Sequence, residues 1–406
     1  MNVFSLSRIA VRVMAVGLLL GVVTMPLLLG AEKGGDDKLA QKLVNQSARI
    51  QENDIVMISG GLQHAELLED IATEVRKIGA FPLVIFNSDR MDRKYFDEVP
   101  AKYDTQVPEL NLKLATMIDA FISVPYSESS SVLADVPPKR RANVSRTFIP
   151  VNNLFTQRNV RRVNLGNALN PTADRAKQFG VSLEQLDKIY WDGVNTDYAQ
   201  LESLGKSVQT KLSSAKEVHI TNPNGTDLRV QISGNPVFVS DGVISEEDMQ
   251  TGGAACQVWL PAGEVYVTPV AGTANGKVVV ERHFFQGKEV QGLELTFKDG
   301  KLTSMKAKSG LEALKALYDA SGEGKDEFAY VDVGINPNVK LIPNSRMVAW
   351  MATGMVTVGL GENTSWAGGQ NESNFSMQSF LPGSTLTIDG EVLVKDGTLS
   401  TLVTQK

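Results

Sequence analysis

The first half of the chain alternates short apolar runs with amphipathic segments. Three of the apolar runs have the length of buried strands, and the segment that follows Gly60-Gly61 carries Leu67, Ile71 and Val75 at helical spacing. The strand candidates are Asp54–Ile58, Phe81–Phe86 and Ala120–Val124. Strands that alternate with helices indicate an α/β layer with a mostly parallel sheet, which we place in an N-terminal domain over residues 32–181.

A long helical pattern follows this region. Ser182 stands three residues before Gln185, the spacing of a capping box. Apolar residues then recur at three- and four-residue intervals, and they are Leu183, Leu186, Tyr190, Val194, Tyr198, Leu201, Leu204, Val208 and Leu212. Gly193 and Gly205 interrupt the pattern, so one helix or two are compatible with it. We predict a helical connector over residues 182–215.

After Ala215 the pattern changes from helical spacing to alternation. Asn222-Pro223-Asn224-Gly225 and Lys298-Asp299-Gly300-Lys301 are turn signals between alternating segments, and Gly310–Tyr318 has helical spacing. The further strand candidates are Lys277–Phe285, Leu293–Phe297, Phe328–Ile335, Met355–Leu360, Ser384–Ile388 and Glu391–Lys395. Residues 216–406 are therefore predicted to form a β-rich α+β domain, and the fold class of the whole chain is α/β.

The first 31 residues differ from the rest in hydropathy. Arg8 and Arg12 precede an almost wholly apolar run, Val13–Leu29, and small residues Gly30 and Ala31 precede a polar stretch. This order is typical of a secretory signal peptide, and the run is also near the lower length limit of a membrane anchor. We expect a protein exported to the periplasm or the medium, which contacts a membrane only if this segment is not removed.

Composition excludes several classes of function. The net charge of −6 over 406 residues argues against a nucleic-acid binder, and a single Cys excludes an intrachain disulfide or a Cys-rich zinc site. The chain has only three His, at positions 64, 219 and 283, too far apart for an HExxH helix. Motifs for a serine nucleophile elbow and for a P-loop are absent from the sequence. Cys256 is interpreted as a packing residue.

One local cluster of positive charge stands out around Pro137-Pro138. Its members are Lys139, Arg140, Arg141, Arg146, Arg158, Arg161 and Arg162. A solvated surface is the simpler interpretation of such a cluster, and an anion or interdomain site is the alternative.

The stretch Leu260-Pro261-Ala262-Gly263-Glu264-Val265-Tyr266-Val267-Thr268-Pro269 resembles the thermophilic-aminopeptidase family of dinuclear metallopeptidases. Other stretches resemble the same family, and they are Asn222–Leu228, the helical segment that begins at Ser182, Gly334-Ile335-Asn336-Pro337, Gly368-Gly369 with Asn371, and Ile388-Asp389-Gly390 through Gly397. The resemblance covers nearly the whole chain after the signal segment. It implies release of N-terminal residues from peptides, two divalent metals (Co, Zn or Mn) and a homodimer.

The resemblance also implies five metal ligands, namely two Glu, two His and one Asp. The loop glutamate corresponds to Glu264, but the other ligand positions correspond to Tyr330, Thr357, Ser376 and Gln378, and a tyrosine assigned to catalysis corresponds to Thr364. Residues 284–406 contain no histidine, so no shift of the alignment restores the imidazole ligands. Neutral Thr, Ser and Gln are poor ligands for a pair of divalent ions.

Two main hypotheses follow, and a purely structural or assembly role is a third, minor alternative. In the first, the protein keeps the family scaffold with a degenerate metal site, needs no cofactor, and binds a peptide or a small molecule without catalysis. Glu264 is then either a hydrogen-bonded residue of an inherited loop or a ligand of a single metal. In the second, a remodelled metal centre supports aminopeptidase activity with other acids, for which the candidates are Asp332, Glu327, Asp241, Glu246, Glu247 and Asp248.

Overall fold

The computed structural model describes residues 35–400, so the predicted signal segment lies outside the described residues. The strands of this part, in chain order, are β1 Ile55–Gly61, β2 Phe81–Asn87, β3 Ala120–Ser123, β4 Arg161–Leu165, β5 Glu217–Asn222, β6 Thr226–Gln231, β7 Val237–Ser240, β8 Gln257–Leu260, β9 Glu264–Val267, β10 Asn275–Phe285, β11 Lys288–Lys298, β12 Lys301–Lys306, β13 Phe328–Gly334, β14 Val356–Gly361, β15 Ser376–Phe380, β16 Thr385–Ile388, β17 Glu391–Lys395 and β18 Thr398–Leu399. They form three sheets.

Helices connect and cover these sheets. The α-helices are α1 Gly35–Gln41, α2 Ala65–Lys77, α3 Asp89–Glu98, α4 Glu109–Ala115, α5 Pro138–Thr147, α6 Ile149–Gln157, α7 Ala173–Phe179, α8 Leu183–Val194, α9 Tyr198–Ser214, α10 Glu246–Thr251, α11 Glu312–Ala320 and α12 Thr364–Ala367. A π-helix continues α1 over Lys42–Ser47. Among residues 35–400, no helix combines the length and apolar character that a membrane crossing requires.

The first sheet is parallel throughout, in the order β2-β1-β3-β4-β8. Its central strands are lined by small and β-branched residues such as Val56, Ile122 and Val163, because a parallel sheet is normally covered on both faces. Helix α2 buries Ile71 and Val75 against it. The fifth strand, β8, comes from residues 257–260, so the parallel sheet crosses the domain boundary that the sequence predicts at residue 181.

The connector consists of two helices that meet at residues 195–197. Ser182 and Gln185 cap α8 reciprocally, as the spacing predicts, and Asp197 caps α9. Gly205 does not break α9. It allows a close approach to the sheet, because a Cβ atom at this position would lie 2.4 Å from a methyl carbon of Val239 on β7.

Two antiparallel sheets complete the fold. The larger has the order β12-β11-β10-β6-β5-β16-β17-β18, and the smaller, here called the site sheet, has the order β15-β14-β13-β9-β7. Asp299 and Gly300 adopt positive φ angles of 51° and 79° between β11 and β12, as a tight hairpin turn with matching twist requires. The predicted α/β fold class with a β-rich C-terminal part is confirmed.

Candidate functional site

A cavity of about 310 Å³ lies between the parallel sheet and the site sheet. One wall consists of alternate residues of β4 and β8, which point to the same face because Arg162 pairs with Gln257 and Asn164 with Trp259. The opposite wall comes from β9, β13 and β15. The lining residues are Arg162, Asn164, Asn167, Gln257, Trp259, Glu264, Tyr266, Asp332, Trp350, Ser365, Trp366 and Gln378.

The backbone around Gly263 fixes the direction of Glu264. Gly263 has a φ of 125°, and a Cβ atom there would lie 2.8 Å from the backbone nitrogen of Asn336. Asn336 is fully buried, and its side-chain amide donates to the carbonyls of Ala262 and Gly193. The Gly-x-Asn-Pro segment therefore ties the Glu264 loop to the end of α8.

Glu264 and Asp332 lie on adjacent strands and face the cavity together. Glu264 pairs with Gly334, and Asp332 stands two residues before Gly334 on the same face of β13. The two side chains belong to residues that are only 3 % and 1 % exposed. The Glu264 carboxyl accepts a hydrogen bond from the Asn167 amide (2.8 Å), whereas neither Asp332 oxygen has a hydrogen-bond partner within residues 35–400.

Burial determines the charge of this pair. Loss of hydration raises the pKa of Glu264 to about 8, and the hydrogen bond from Asn167 opposes this change. Burial, together with the nearby Glu264 carboxyl, raises the pKa of Asp332 well above its usual range. Two buried carboxyl groups on neighbouring strands therefore favour a protonated state over a doubly charged one.

Aromatic rings enclose the acidic pair. Trp366 is central, with its ring centroid 4.3 Å from that of Tyr330, 5.7 Å from Tyr266, 5.9 Å from Trp259 and 6.3 Å from Trp350. Three of the four Trp residues of the chain line the cavity. These rings form the apolar part of a cavity lining that also contains the two carboxyl groups.

A buried guanidinium group lies on the wall that the parallel sheet contributes. Arg162 donates from Nη2 to the Ser365 carbonyl at 2.6 Å, while its Nε has no partner in the described part of the chain. Burial lowers its pKa to about 10. The solvated-surface interpretation of the basic cluster is wrong for Arg162, and also for Arg161, which binds Asp54 at 2.6 Å.

Other members of the cluster hold the fold together. Arg140 contacts both oxygens of buried Asp104 and the carbonyls of Phe96 and Val99. Arg158 donates to two carbonyls at the end of α4. Guanidinium groups carry five donors, so they satisfy backbone carbonyls that helix ends leave open, and this accounts for these contacts.

The mapped positions that lie in strands share one face of the site sheet, whereas Thr364 begins α12. Thr357 pairs with Asp332, Gln378 pairs with Gly359, and the Tyr330 ring packs over Gly359. Glu264 and Gln378 line the cavity, Thr357 is buried beside Asp332, and Tyr330 lies in the aromatic cluster. Ser376 and Thr364 line a neighbouring cavity of about 230 Å³.

Among the other candidate acids, Asp332 is the one that reaches Glu264. Glu327 forms an ion pair with Lys301 at 3.0 Å and lines another cavity. Asp241, Glu246, Glu247 and Asp248 line a further cavity beside α9.

The sequence contained a feature that indicates Asp332, since this residue stands two residues from Tyr330 on one strand face. Arg162 could have been found as a charged residue within an apolar strand. No sequence feature pointed to the tryptophans or to Asn167 as site residues.

The residues present do not fit a dinuclear metal centre. Within residues 35–400, no group of three or more His, Cys, Asp or Glu is arranged to hold a metal ion. Two carboxyl groups whose pKa values are raised by burial, with neutral Thr357 and Gln378 on the same sheet face, do not offset the charge of two divalent ions. His219 bonds Asp227 on the larger sheet, and His283 lies on β10, where burial lowers its pKa to about 4.

Comparison with known proteins identifies the family. The model of a thermophilic metalloprotease family (M29) matches residues 36–333. The chain belongs to this family. The match includes Glu264 and Asp332 and ends before Thr357, Ser376 and Gln378, so the ligand positions expected there from the resemblance stay a prediction.

Individual members of the family show the same relationship. Aminopeptidase 2 of Geobacillus stearothermophilus is 25% identical over 302 residues, with 70% of this chain and 72% of that protein covered. Aminopeptidase PepS of Streptococcus thermophilus is 23% identical over 309 residues, covering 69% and 72%. The resemblance found in the sequence is confirmed. A metallopeptidase family of this kind uses divalent metals in general.

Solved structures share the fold. AmpT from Thermus thermophilus superposes with a TM-score of 0.69 at 19% identity, covering 91% of this chain and all of that one. A 2,5-dihydroxypyridine dioxygenase from Pseudomonas putida KT2440 has a TM-score of 0.56 at 13% identity, covering 91% and 98%. At these identities the likeness describes the architecture alone.

Proposed function

We propose that this member of the M29 family binds a small ligand in the cavity between its sheets and does not hydrolyse peptides through a pair of metals. The main support for this proposal is the set of side chains on the face of the site sheet that lines the cavity. Glu264 and Asp332 are its buried carboxyl groups, and the other positions that the resemblance assigns to ligands hold Tyr330, Thr357, Ser376 and Gln378. The fold keeps the cavity, while the donors that a dimetal centre needs are replaced.

The second candidate is hydrolysis with a remodelled centre. It is favoured by the position of Glu264 and Asp332, which face the cavity from neighbouring strands and together offer two acidic groups. Both carboxyl groups would have to lose their protons, and burial opposes that loss. For this reason the binding function is the stronger candidate.

Metal content and turnover separate the two candidates. Protein purified without chelators is expected to contain sub-stoichiometric transition metal by elemental analysis. A panel of aminoacyl anilides, tested with added Co²⁺, Zn²⁺ or Mn²⁺, is expected to show no turnover above the background of metal alone.

The matched variants are Glu264→Ala, which removes a cavity carboxyl group, and Asp241→Ala, which removes a half-buried carboxyl group that lines a different cavity. Metal-dependent turnover that disappears in the first variant and persists in the second would overturn the binding proposal. Such a result would establish the remodelled aminopeptidase instead.

Export is a separate part of the proposal. It is supported by Arg8 and Arg12 in front of the apolar run Val13–Leu29. Fractionation of the producing cells and mass analysis of the amino terminus test it. A protein that stays in the cytoplasm with residues 1–31 attached would contradict export, and a membrane-bound protein with these residues intact would indicate an anchor. The homodimer stays a prediction, which sedimentation of the purified protein tests.

A further inference from the structure

We propose that the cavity takes a small aromatic monocarboxylate, whose carboxylate group is held by Arg162 and whose ring lies against the tryptophans. The inference rests on the proposed binding function and adds the chemical class of the ligand to it. It depends on the wall that the parallel sheet contributes, which holds none of the positions that the family resemblance assigns to metal ligands.

Arg162 is a buried positive charge without a carboxylate partner. The residue is 8 % exposed, and its guanidinium group stays charged at neutral pH, because burial lowers its pKa only to about 10. Nη2 donates to the Ser365 carbonyl at 2.6 Å, and Nε has no partner within residues 35–400. A buried charge without a counter-ion is costly to a fold. An anion bound in the cavity compensates this charge.

Arg161 shows how the chain holds a guanidinium group that has a structural role. It precedes Arg162 on β4 and therefore points to the opposite face of the parallel sheet. Arg161 binds Asp54 at 2.6 Å, so its charge is balanced within the fold. Arg162 forms no such ion pair in the described part of the chain and faces a cavity instead. The difference between these neighbours indicates that the partner of Arg162 is a ligand.

The carboxyl groups near the cavity do not take the place of that ligand. Glu362 is the carboxyl group whose charge acts on Arg162, but it accepts a hydrogen bond from the Ser365 amide at 2.8 Å. The charge of Asp332 responds to Glu264. Because burial favours the protonated state of that pair, it does not oppose an anion at the other end of the cavity.

The unfilled donors select a carboxylate. A guanidinium group presents N–H donors in a planar fork that matches the two oxygens of a carboxylate. Trp350 supplies a further unfilled donor, since its Nε1 has no partner within residues 35–400 and the residue lines the cavity. Indole N–H groups donate and do not accept. A ligand with negatively charged acceptor oxygens satisfies such donors, whereas a cation does not.

The tryptophans beside Arg162 provide a place for an aromatic ring. Gln257 pairs with Arg162, and Trp259 follows Gln257 by two residues on the same face of β8. The rings of Trp259 and Trp366 stand at 87° with their centroids 5.9 Å apart. Aromatic rings pack favourably edge to face at such distances. A volume of about 310 Å³ is at the lower end of the range for ligand cavities, which limits the ligand to a small molecule.

Tryptophan fluorescence tests the proposal, because three of the four tryptophans of the chain line the cavity. The full chain is titrated at constant pH and ionic strength with benzoate, its neutral amide benzamide, the cation benzylamine, and acetate. We expect a saturable change with benzoate. The other three should bind at least about tenfold more weakly, since benzamide and benzylamine lack the negative charge and acetate lacks the ring.

Variants of the two neighbouring arginines complete the test. Arg162→Gln removes the charge in the cavity and is expected to weaken benzoate binding about tenfold or more. Arg162→Lys keeps the charge without the planar fork, so its affinity should lie between those of Arg162→Gln and the wild type. Arg161→Gln changes the guanidinium group on the opposite face and is expected to leave benzoate binding unchanged.

Thermal unfolding supplies a second readout. Saturating benzoate should raise the unfolding midpoint of the wild type and not that of Arg162→Gln. Without benzoate, Arg162→Gln should be at least as stable as the wild type, because it removes an unpaired charge. Arg161→Gln should be less stable, because it leaves Asp54 without its partner.

Equal binding of benzoate and benzamide would overturn the proposal, and so would a preference for benzylamine or unchanged benzoate binding in Arg162→Gln. A flat response to all four probes, in protein that is also free of metal and of turnover, would overturn the ligand class and leave the proposed binding function standing. Stoichiometric metal with turnover of aminoacyl anilides would overturn both.

Discussion

Asp104 and Asp332 are both buried carboxyl groups, yet their surroundings differ completely. Asp104 accepts from Arg140 at 2.7 and 2.8 Å, which lowers its pKa, whereas Asp332 has unfilled acceptors and a raised pKa. A paired and hydrogen-bonded charge stabilises one conformation. An unsatisfied buried acid is costly to the fold and is therefore the better indication of a ligand site.

The largest expected effect on stability comes from the hydrogen-bonded ion pair of Asp104 and Arg140. Asp104→Ala leaves Arg140 without its carboxylate partner between α3 and α5, and we expect a loss of about 3 kcal/mol in the free energy of unfolding at pH 7. Urea denaturation measures it. Asp104→Asn retains an acceptor and should lose less. A change below about 1 kcal/mol in Asp104→Ala would show that the pairing contributes little, and the contrast with Asp332 would fail.

The free energy of unfolding should depend on pH in opposite directions through Glu264 and through Asp104. The pKa of Glu264 rises from 4.5 in the unfolded chain to about 8 in the folded one, so the folded state binds more protons between these values. The stabilising contribution is complete below pH 4.5 and is lost as pH rises towards 8. For Asp104, whose folded pKa is lowered, stability is instead lost on acidification.

Glu264→Gln isolates this effect. The amide keeps the shape of the side chain but does not titrate, so between pH 5 and 8 the variant should lose on the order of 3 kcal/mol less free energy of unfolding than the wild type. Unfolding experiments at several pH values measure the two curves. Parallel curves for variant and wild type would mean that Glu264 does not gain protons on folding.

Local chemistry explains which parts of the fold the sequence predicts. The capping box at Ser182 and the turn at Asp299-Gly300 depend on neighbouring residues, and both form as expected. The fifth strand of the parallel sheet was not predicted, because β8 joins β4 across almost a hundred residues. Neither propensity nor periodicity specifies a pairing between segments so far apart.

The candidate site likewise has a part that local sequence predicts and a part that depends on pairing between distant segments. The PAGEV stretch identified Glu264 from local sequence, and the absence of histidine after residue 283 predicted a donor set without imidazole. The partnership of Glu264 with Asp332 depends on the register between β9 and β13, which a single sequence does not contain. The tryptophan enclosure combines β8, α12 and the segment before β14, so it appears only once the chain is folded.

The smallest expected effect on stability is that of an exposed ion pair, which can be compared with the buried pair of Asp104 and Arg140. Lys94 and Glu98 on α3 form an ion pair at 2.8 Å, and both side chains are largely exposed. Water screens such a pair, and a Lys that precedes Glu by four residues is the less favourable order on a helix. Lys94→Gln should therefore change the free energy of unfolding by less than about 0.5 kcal/mol. A loss comparable to that of Asp104→Ala would mean that burial is not what separates strong from weak charge pairs in this protein.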